Sequence, residues 1–163
     1  MADIAITTDP AVTLGDAIVA RINANTWTPS GGPSLTFTAR RLYEVPGYEP
    51  DDTALRVDLV IQEREPSELV DHGGTLGRSF DVAIGIQKIV SDKNDVAAVD
   101  ALRNFVTTLL TFFKIAEEFD VGGGQLARCQ TKKQSVPYHP DELDKNNRFF
   151  ALLDFDFVGW FPG

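Results

Sequence analysis

Cysteine, methionine, histidine and tryptophan are scarce in this chain, with one, one, two and two residues among 163. The single cysteine, Cys129, excludes an intrachain disulfide. It has no Cys or His grouping nearby to suggest a metal, and reads as a small residue in a strand-like segment, which fits a reducing interior. The two histidines, His72 and His139, both fall in expected loops. With no H-x3-H or C-x2-C spacing, each reads as a surface histidine rather than a zinc ligand. Long apolar runs are also missing. No stretch approaches the roughly 18 residues a membrane helix needs, and the most apolar segment, Val96–Phe113, is interrupted by Asp100, Arg103, Asn104 and three threonines. It is expected to be a helix of a soluble core. The opening MADIAITTDP has neither the basic start nor the apolar stretch of a secretory signal.

Positive charge is in deficit. Fifteen Lys and Arg stand against 24 Asp and Glu, a net charge of −9. A general nucleic-acid binder gains affinity by neutralising phosphates, so this balance argues against one. The basic pairs Arg40-Arg41 and Lys132-Lys133 build no patch alone, because neighbours on a strand point to opposite faces. A negative surface still suits a passage through which DNA slides without adhering.

What is present is enough for one α+β domain spanning residues 1–163. A hydrophobic content of 43% supplies a single core without disulfides or metal. Asp9-Pro10 marks a helix start, an N-cap carboxylate before a proline whose missing N–H costs nothing in the first turn. Leu14, Ile18 and Ile22 then form one apolar stripe, and Asn23, Asn25 and the Pro29–Pro33 segment end it. Three strands are expected next. Leu35–Val45 alternates, Leu55–Ile61 alternates most clearly, and Phe80–Ile89 follows after the polar stretch Glu63–Gly77. These predict an antiparallel meander with one buried face. The connection is too long for an ordinary hairpin loop, so it is expected to form either a protruding arm or a loop near 63–78. A long helix over Val96–Phe119, capped by Asp92 or Asp95, is followed by Gly122-Gly123-Gly124 as its stop. A strand from about Gln125 to Val136, an acidic loop Asp141–Asn147 and a strand containing Phe149–Phe157 close the chain. The expected order is α-β-β-β-α-β-β, about five antiparallel strands with two helices on one face.

Catalytic motifs are thin. The triple glycine follows a helix, whereas a phosphate loop needs a strand before it and a helix after it. His72-Gly73-Gly74 has no G-x-S-x-G partner and reads as a turn. Asp154 and Asp156 are the exception: at i and i+2 of a strand they share a face, where two carboxylates can bind Mg²⁺ or act as an acid–base pair. They lie among aromatic residues with no third carboxylate in an obvious motif. Solvated outer-face charges, or contacts to a neighbouring subunit, are the simpler reading. No cofactor, metal site or enzymatic activity is expected.

The amino-terminal helix ending near Asn25, the strand Leu35–Val45, the pair Leu55–Ile61 and Phe80–Val90 with its charged connection, the long helix Val96–Phe119 and the closing Phe149–Phe157 strand together resemble the tail terminator and related neck or tail-completion proteins of long-tailed bacteriophages. The resemblance is one of order, length and texture across nearly the whole chain. It implies a virion subunit, assembled in the host cytoplasm, that forms a ring (usually of six copies) at the head-proximal end of the tail. There it would stop tube growth and contact the tail tube protein and the head connector or stopper, while DNA passes without sequence-specific binding. Another neck, head-completion or tube-associated protein is the alternative, and a small metal-dependent enzyme using Asp154 and Asp156 the remaining one. Ring contacts are head-to-tail, so two different patches must match. Exposure and charge nominate Glu63, Arg64, Glu65, Glu68, Asp71 and Arg78 on the arm. They also nominate Asp141, Glu142 and Asp144 on the acidic loop, with neighbouring Lys132 and Lys133.

Overall fold

The computed structural model describes residues 1–47, 52–63, 75–136 and 138–162. Helix α1 (Pro10–Asn23) starts as its sequence dictates, with the Asp9 carboxylate accepting from the Ala11 N–H at 2.8 Å, and it buries Leu14, Gly15, Ile18 and Ile22. The described strands form one mixed sheet in the order β1-β2-β3-β6-β5-β4. They are β1 (Arg40–Leu42), β2 (Arg56–Glu63), β3 (Thr75–Ile89), β4 (Glu118–Asp120), β5 (Leu126–Val136) and β6 (Arg148–Pro162). Helices α2 (Val96–Phe112) and α3 (Pro140–Asn146) complete the order α-β-β-β-α-β-β-α-β.

The α+β class and a sheet with helices over one face are as expected, but several details differ. The first three strands are no meander, because β1 runs parallel to β2 in the register Arg40↔Asp58, and β3 pairs on its far side with β6 over Thr75↔Pro162 to Ile89↔Arg148. Strand β1 is also much shorter than Leu35–Val45. The side chain of Asn23 accepts from the Ala39 N–H at 2.8 Å and donates to the Ala39 carbonyl at 3.0 Å, which diverts that backbone from any ladder. Leu35 and Phe37 still pack on the core.

Helix α2, capped by Asp95, ends at Phe112 and not at Phe119; Phe113 is extended and Glu118–Asp120 is a strand. Phe113 and Phe119 both enter the core at 1% and 8% exposure. Six residues apart on a helix, they would point about 120° away from each other, so the chain must break between them. Gly122-Gly123-Gly124 consequently stops no helix. All three have positive φ (100°, 61° and 77°) and turn β4 into β5, a backbone that only glycine adopts without strain.

The acidic loop Asp141–Asn147 is mostly helix α3. Pro140 sits in its first turn, Asp141 and Glu142 oppose the positive end of its dipole, Lys145 lies in the last turn, and Asn147 closes it in the left-handed region. Of the connection near 63–78, residues 64–74 lie outside the described ones, while β3 already begins at Thr75.

One face of the sheet carries the core. Val57 and Leu59, Phe80 to Ile86 at alternate positions, Ala127 and Cys129, and Phe149 to Phe157 at alternate positions meet α1 and α2 in one cluster. The sheet is curled enough for α1 to contact both β2 and β4. Aromatic rings fill the interior: Phe113 lies edge-on to Phe112 and Phe155 at centroid distances of 5.1 and 5.4 Å. A Phe113→Ala variant should lose about 3–5 kcal/mol, the range for truncating a buried phenylalanine, read as the midpoint shift in urea denaturation at unchanged slope.

Candidate functional site

The sheet face away from the helices is built by the other register of each strand. Asp58, Val60 and Gln62 come from β2, Asp81, Ala83, Gly85 and Gln87 from β3, and Phe150, Leu152, Asp154, Asp156 and Val158 from β6. At one end this face is closed by the segment after β1. The Gln87 side chain donates to the Pro46 carbonyl at 3.0 Å, Arg56 donates to the Gly47 carbonyl at 3.3 Å, and Val45 sits so close over Gly85 that a Cβ there would lie 2.9 Å from Cγ1. Gln87 is itself 1% exposed and also accepts from Arg56 and Arg148. Asp58, fully buried, holds Arg40 through Oδ1 at 2.8 and 2.9 Å, which ties β1 to β2.

Beyond this strap the face opens into a concavity of about 650 Å³. Its walls carry Glu44, Gln62, Asp81, Thr131, Lys133, Asp154 and Asp156, with Val60, Ala83 and Leu152 among the apolar lining. Asp154 and Asp156 share this face, as their spacing predicts. Asp156 is opposite Asp81 in the register of β3 and β6, and accepts from the Thr131 hydroxyl at 2.7 Å; Asp154 is opposite Lys133 of β5. Directly opposed residues of an antiparallel pair hold their Cβ atoms about 4.5–5.5 Å apart. The register therefore adds Asp81 as a third carboxylate that sequence inspection did not single out. Its alternation with Phe80 and Val82 reveals only which face it takes; its neighbour is set by pairing with a strand some 75 residues away. Among the described residues, no group of three His, Cys, Asp or Glu side chains is arranged to hold a metal ion.

Burial, and next to it the charge of Asp156, raises the Asp154 carboxyl above the usual aspartate range against the opposing pull of Lys133.

The nominated charges are scattered. Glu63 and Arg78 bind each other across β2 and β3, with Nη2 to Oε2 at 2.6 Å. Glu142 accepts from Asn146 and Arg148, and Asp144 binds Lys93 at 2.5 Å, which depresses its carboxyl below the usual range. Lys132 is half-buried and donates to the Phe113 carbonyl at 2.9 Å, just past the end of α2. Lys133 and Asp141 are exposed. Arg64, Glu65, Glu68 and Asp71 lie outside the described residues, as does His72. His139 is exposed, its ring stacked on Phe150 at 5.5 Å. Cys129 is buried in β5, and burial raises its thiol. The candidates thus do not converge: Glu63 pairs with Arg78, Glu142 with Arg148 and Asp144 with Lys93, all within the chain. No protein-family model matches the chain, and no curated protein matches it at a significant level.

The raised Asp154 carboxyl has a consequence for stability. A folded-state pKa above the unfolded one means that the folded chain binds the proton more tightly. Stability from this group is then greatest below the unfolded pKa and is lost as pH rises through the folded one. Asp154→Asn should therefore melt higher relative to the parent at pH 7.5 than it does at pH 4. The gain should shrink as pH falls toward 4 in matched thermal scans, and an equal gain at both pH values would show that the ionised carboxylate is not its source.

Proposed function

We propose that this chain is a structural subunit of a phage tail or neck, assembling as a ring at the head-proximal end of the tail, where it terminates the tube and joins it to the head connector. The observation that carries this reading is the ribbon at one end of the sheet. Strands β3 and β6 are the longest of the described strands, at 15 residues each, and run together past the point where β5 stops pairing, at Ala127↔Gly159. Trp160 and Leu126 stand 45% and 46% exposed there. Large exposed apolar groups at one end of the sheet suit a subunit that contacts neighbours. The net charge of −9 suits a ring through which DNA passes without adhering. The ring, its tube and connector partners and its place in the virion rest on this reading together with the order of elements along the chain.

A different neck or tube-associated protein fits the same features and differs in where it binds. A small enzyme built on Asp154 and Asp156 gains Asp81 as a neighbour, but three carboxylates beside a lysine equally suit an open, solvated sheet face.

Purified chain should be incubated with tail tubes from the phage whose genome encodes it, then imaged by negative-stain electron microscopy, with mass measured by light scattering. Rings on one end of each tube are the expected outcome. Binding along the tube wall would favour the tube-associated alternative, and bare tubes with a monomeric chain at all concentrations would overturn the ring.

A further inference from the structure

The chain leaves α2 at Phe112 and enters β4 at Glu118, and the residues between them form a tight turn. The Glu117 N–H donates to the Lys114 carbonyl at 3.1 Å, and the Glu117 carboxylate accepts from the Lys114 N–H at 2.9 Å. The Ala116 N–H donates to the Cys129 carbonyl at 2.8 Å, and the Cys129 N–H donates to the Glu117 carbonyl at 2.9 Å, which pins the turn to the outer edge of β5. Ala116 holds φ at 65°, in the region that favours glycine. A residue strained in this way persists only where its surroundings over-determine it, so the turn keeps one shape. Its tip presents Lys114 and Ile115 to solvent. Ile115 is 53% exposed, and among the described residues no carboxylate pairs with the Lys114 ammonium.

The concavity on the face away from the helices has the complementary character. Glu44, Asp81, Asp154 and Asp156 bring negative charge to it, against Lys133. The neighbouring lysine does not add to this, because the Lys132 ammonium is taken up by the Phe113 carbonyl at the root of the turn. Asp81 and Asp156 stand directly opposite each other, and like charges so placed repel. Val60 and Leu152 give the same surface an apolar part. A cation and an aliphatic group side by side match it in both respects. The turn is fastened on the outer side of β5, whereas the concavity runs from β5 across β6 and β3 toward the strap. The two are thus separate, unlike surfaces of one subunit, which is what a head-to-tail contact joins.

We propose that the turn at 114–116 of each subunit docks in the acidic concavity of the next copy, with the Lys114 ammonium between Asp81 and Asp156 and Ile115 against Val60 and Leu152. The occupant of the concavity is thus a second copy of this chain. Opposite charge decides which surfaces meet and suppresses other pairings. A turn already held in one shape gives up little conformational freedom on docking. This contact rests on the ring reading above, and names two surfaces that would build the ring.

Carbodiimide coupling, which joins an amine directly to a touching carboxylate, tests the contact in the full chain, in solution and on tail tubes. Unlabelled and heavy-nitrogen-labelled protein are mixed, coupled and digested, so that linked peptides of mixed label report contacts between copies. Mixed-label links from Lys114 to Asp81, Asp154 or Asp156 are expected, with any link of Lys133 to Asp154 inside one label as the internal standard. Oligomers or tube-bound rings that lack the Lys114 link overturn the contact and leave the ring standing; a chain that stays monomeric throughout and gives no such link overturns both. In parallel, light scattering compares the parent with Lys114→Glu and with Lys145→Glu, the same charge change on α3. Lys114→Glu should melt with the parent, because its side chain stands in solvent, yet assemble only at a concentration at least about tenfold higher. Added salt should weaken assembly of the parent in the same direction, while Lys145→Glu should assemble as the parent does. Equal shifts in the two variants would trace the effect to net charge and reject the contact.

Discussion

The curl of the sheet around α1 is the constraint from which the rest of the structure follows. Leu14, Ile18 and Ile22 lie at intervals of four on α1 and are essentially fully buried, and the helix contacts β2 near one edge of the sheet and β4 at the other. Only a rolled sheet lets one short helix reach both. Arg21 fastens the far side. It pairs with Glu117 just before β4, and its guanidinium lies 4.8 to 5.7 Å from the ring centroids of Phe112, Phe113 and Phe119. A flat guanidinium over aromatic faces keeps its charge near solvent while its stem covers apolar surface. Thus a single arginine holds the break after α2, the three-residue edge strand and the end of α1 in one place.

On the face away from α1 a concavity exists because the segment after β1 rises over it, with Tyr43, Glu44 and Val45 as one wall. The strap at Val45–Gly47 fills one end of it, anchored through Gln87, and leaves the middle to Asp81, Asp154, Asp156 and Lys133. The polar groups of this face are arranged in two ways. Near the strap they are fully enclosed and held by several hydrogen bonds, as at Asp58 and Gln87. In the open part they are half-buried or exposed: Asp154 faces Lys133 across β5 and β6, while Asp156 faces Asp81 across β3 and β6. The first arrangement fixes the chain path after β1; the second leaves a negatively charged surface.

The periodicities of the core were legible in the sequence. The α1 stripe, the alternation of Phe80 to Ile86 and that of Phe149 to Phe157 each record a single buried face, and burial is what sets the period. Pairing was not legible. Nothing local to Phe80–Ile89 shows that its second neighbour begins near residue 148 and not at residue 35, and nothing near Arg40 shows that its partner runs parallel, since alternation fixes a face and is silent on who lies beside it. The break at Phe113 was hidden because apolar spacing continued past it, and its cause, the need to send Phe113 and Phe119 into the same core, is tertiary. Helix α3 carried its signals in Pro140, Asp141, Glu142 and Lys145, but without a fully buried stripe it read as an acidic loop. At the site, the shared face of Asp154 and Asp156 followed from their spacing, while Asp81 joined them only through the register.

The central place of β6 has a consequence for how the fold is made. It is the latest described strand along the chain, yet it sits between β3 and β5 and is the sole link between β1-β2-β3 and β5-β4. During synthesis the earlier strands emerge with an unfilled gap between them, and a native sheet cannot close until residues 148–162 have left the ribosome. Its dominant contacts then join segments far apart in sequence, the kind of topology that folds slowly. Closure of the sheet is therefore tied to the synthesis of residues 148–162, and chains made only as far as β5 cannot present the finished surface to one another.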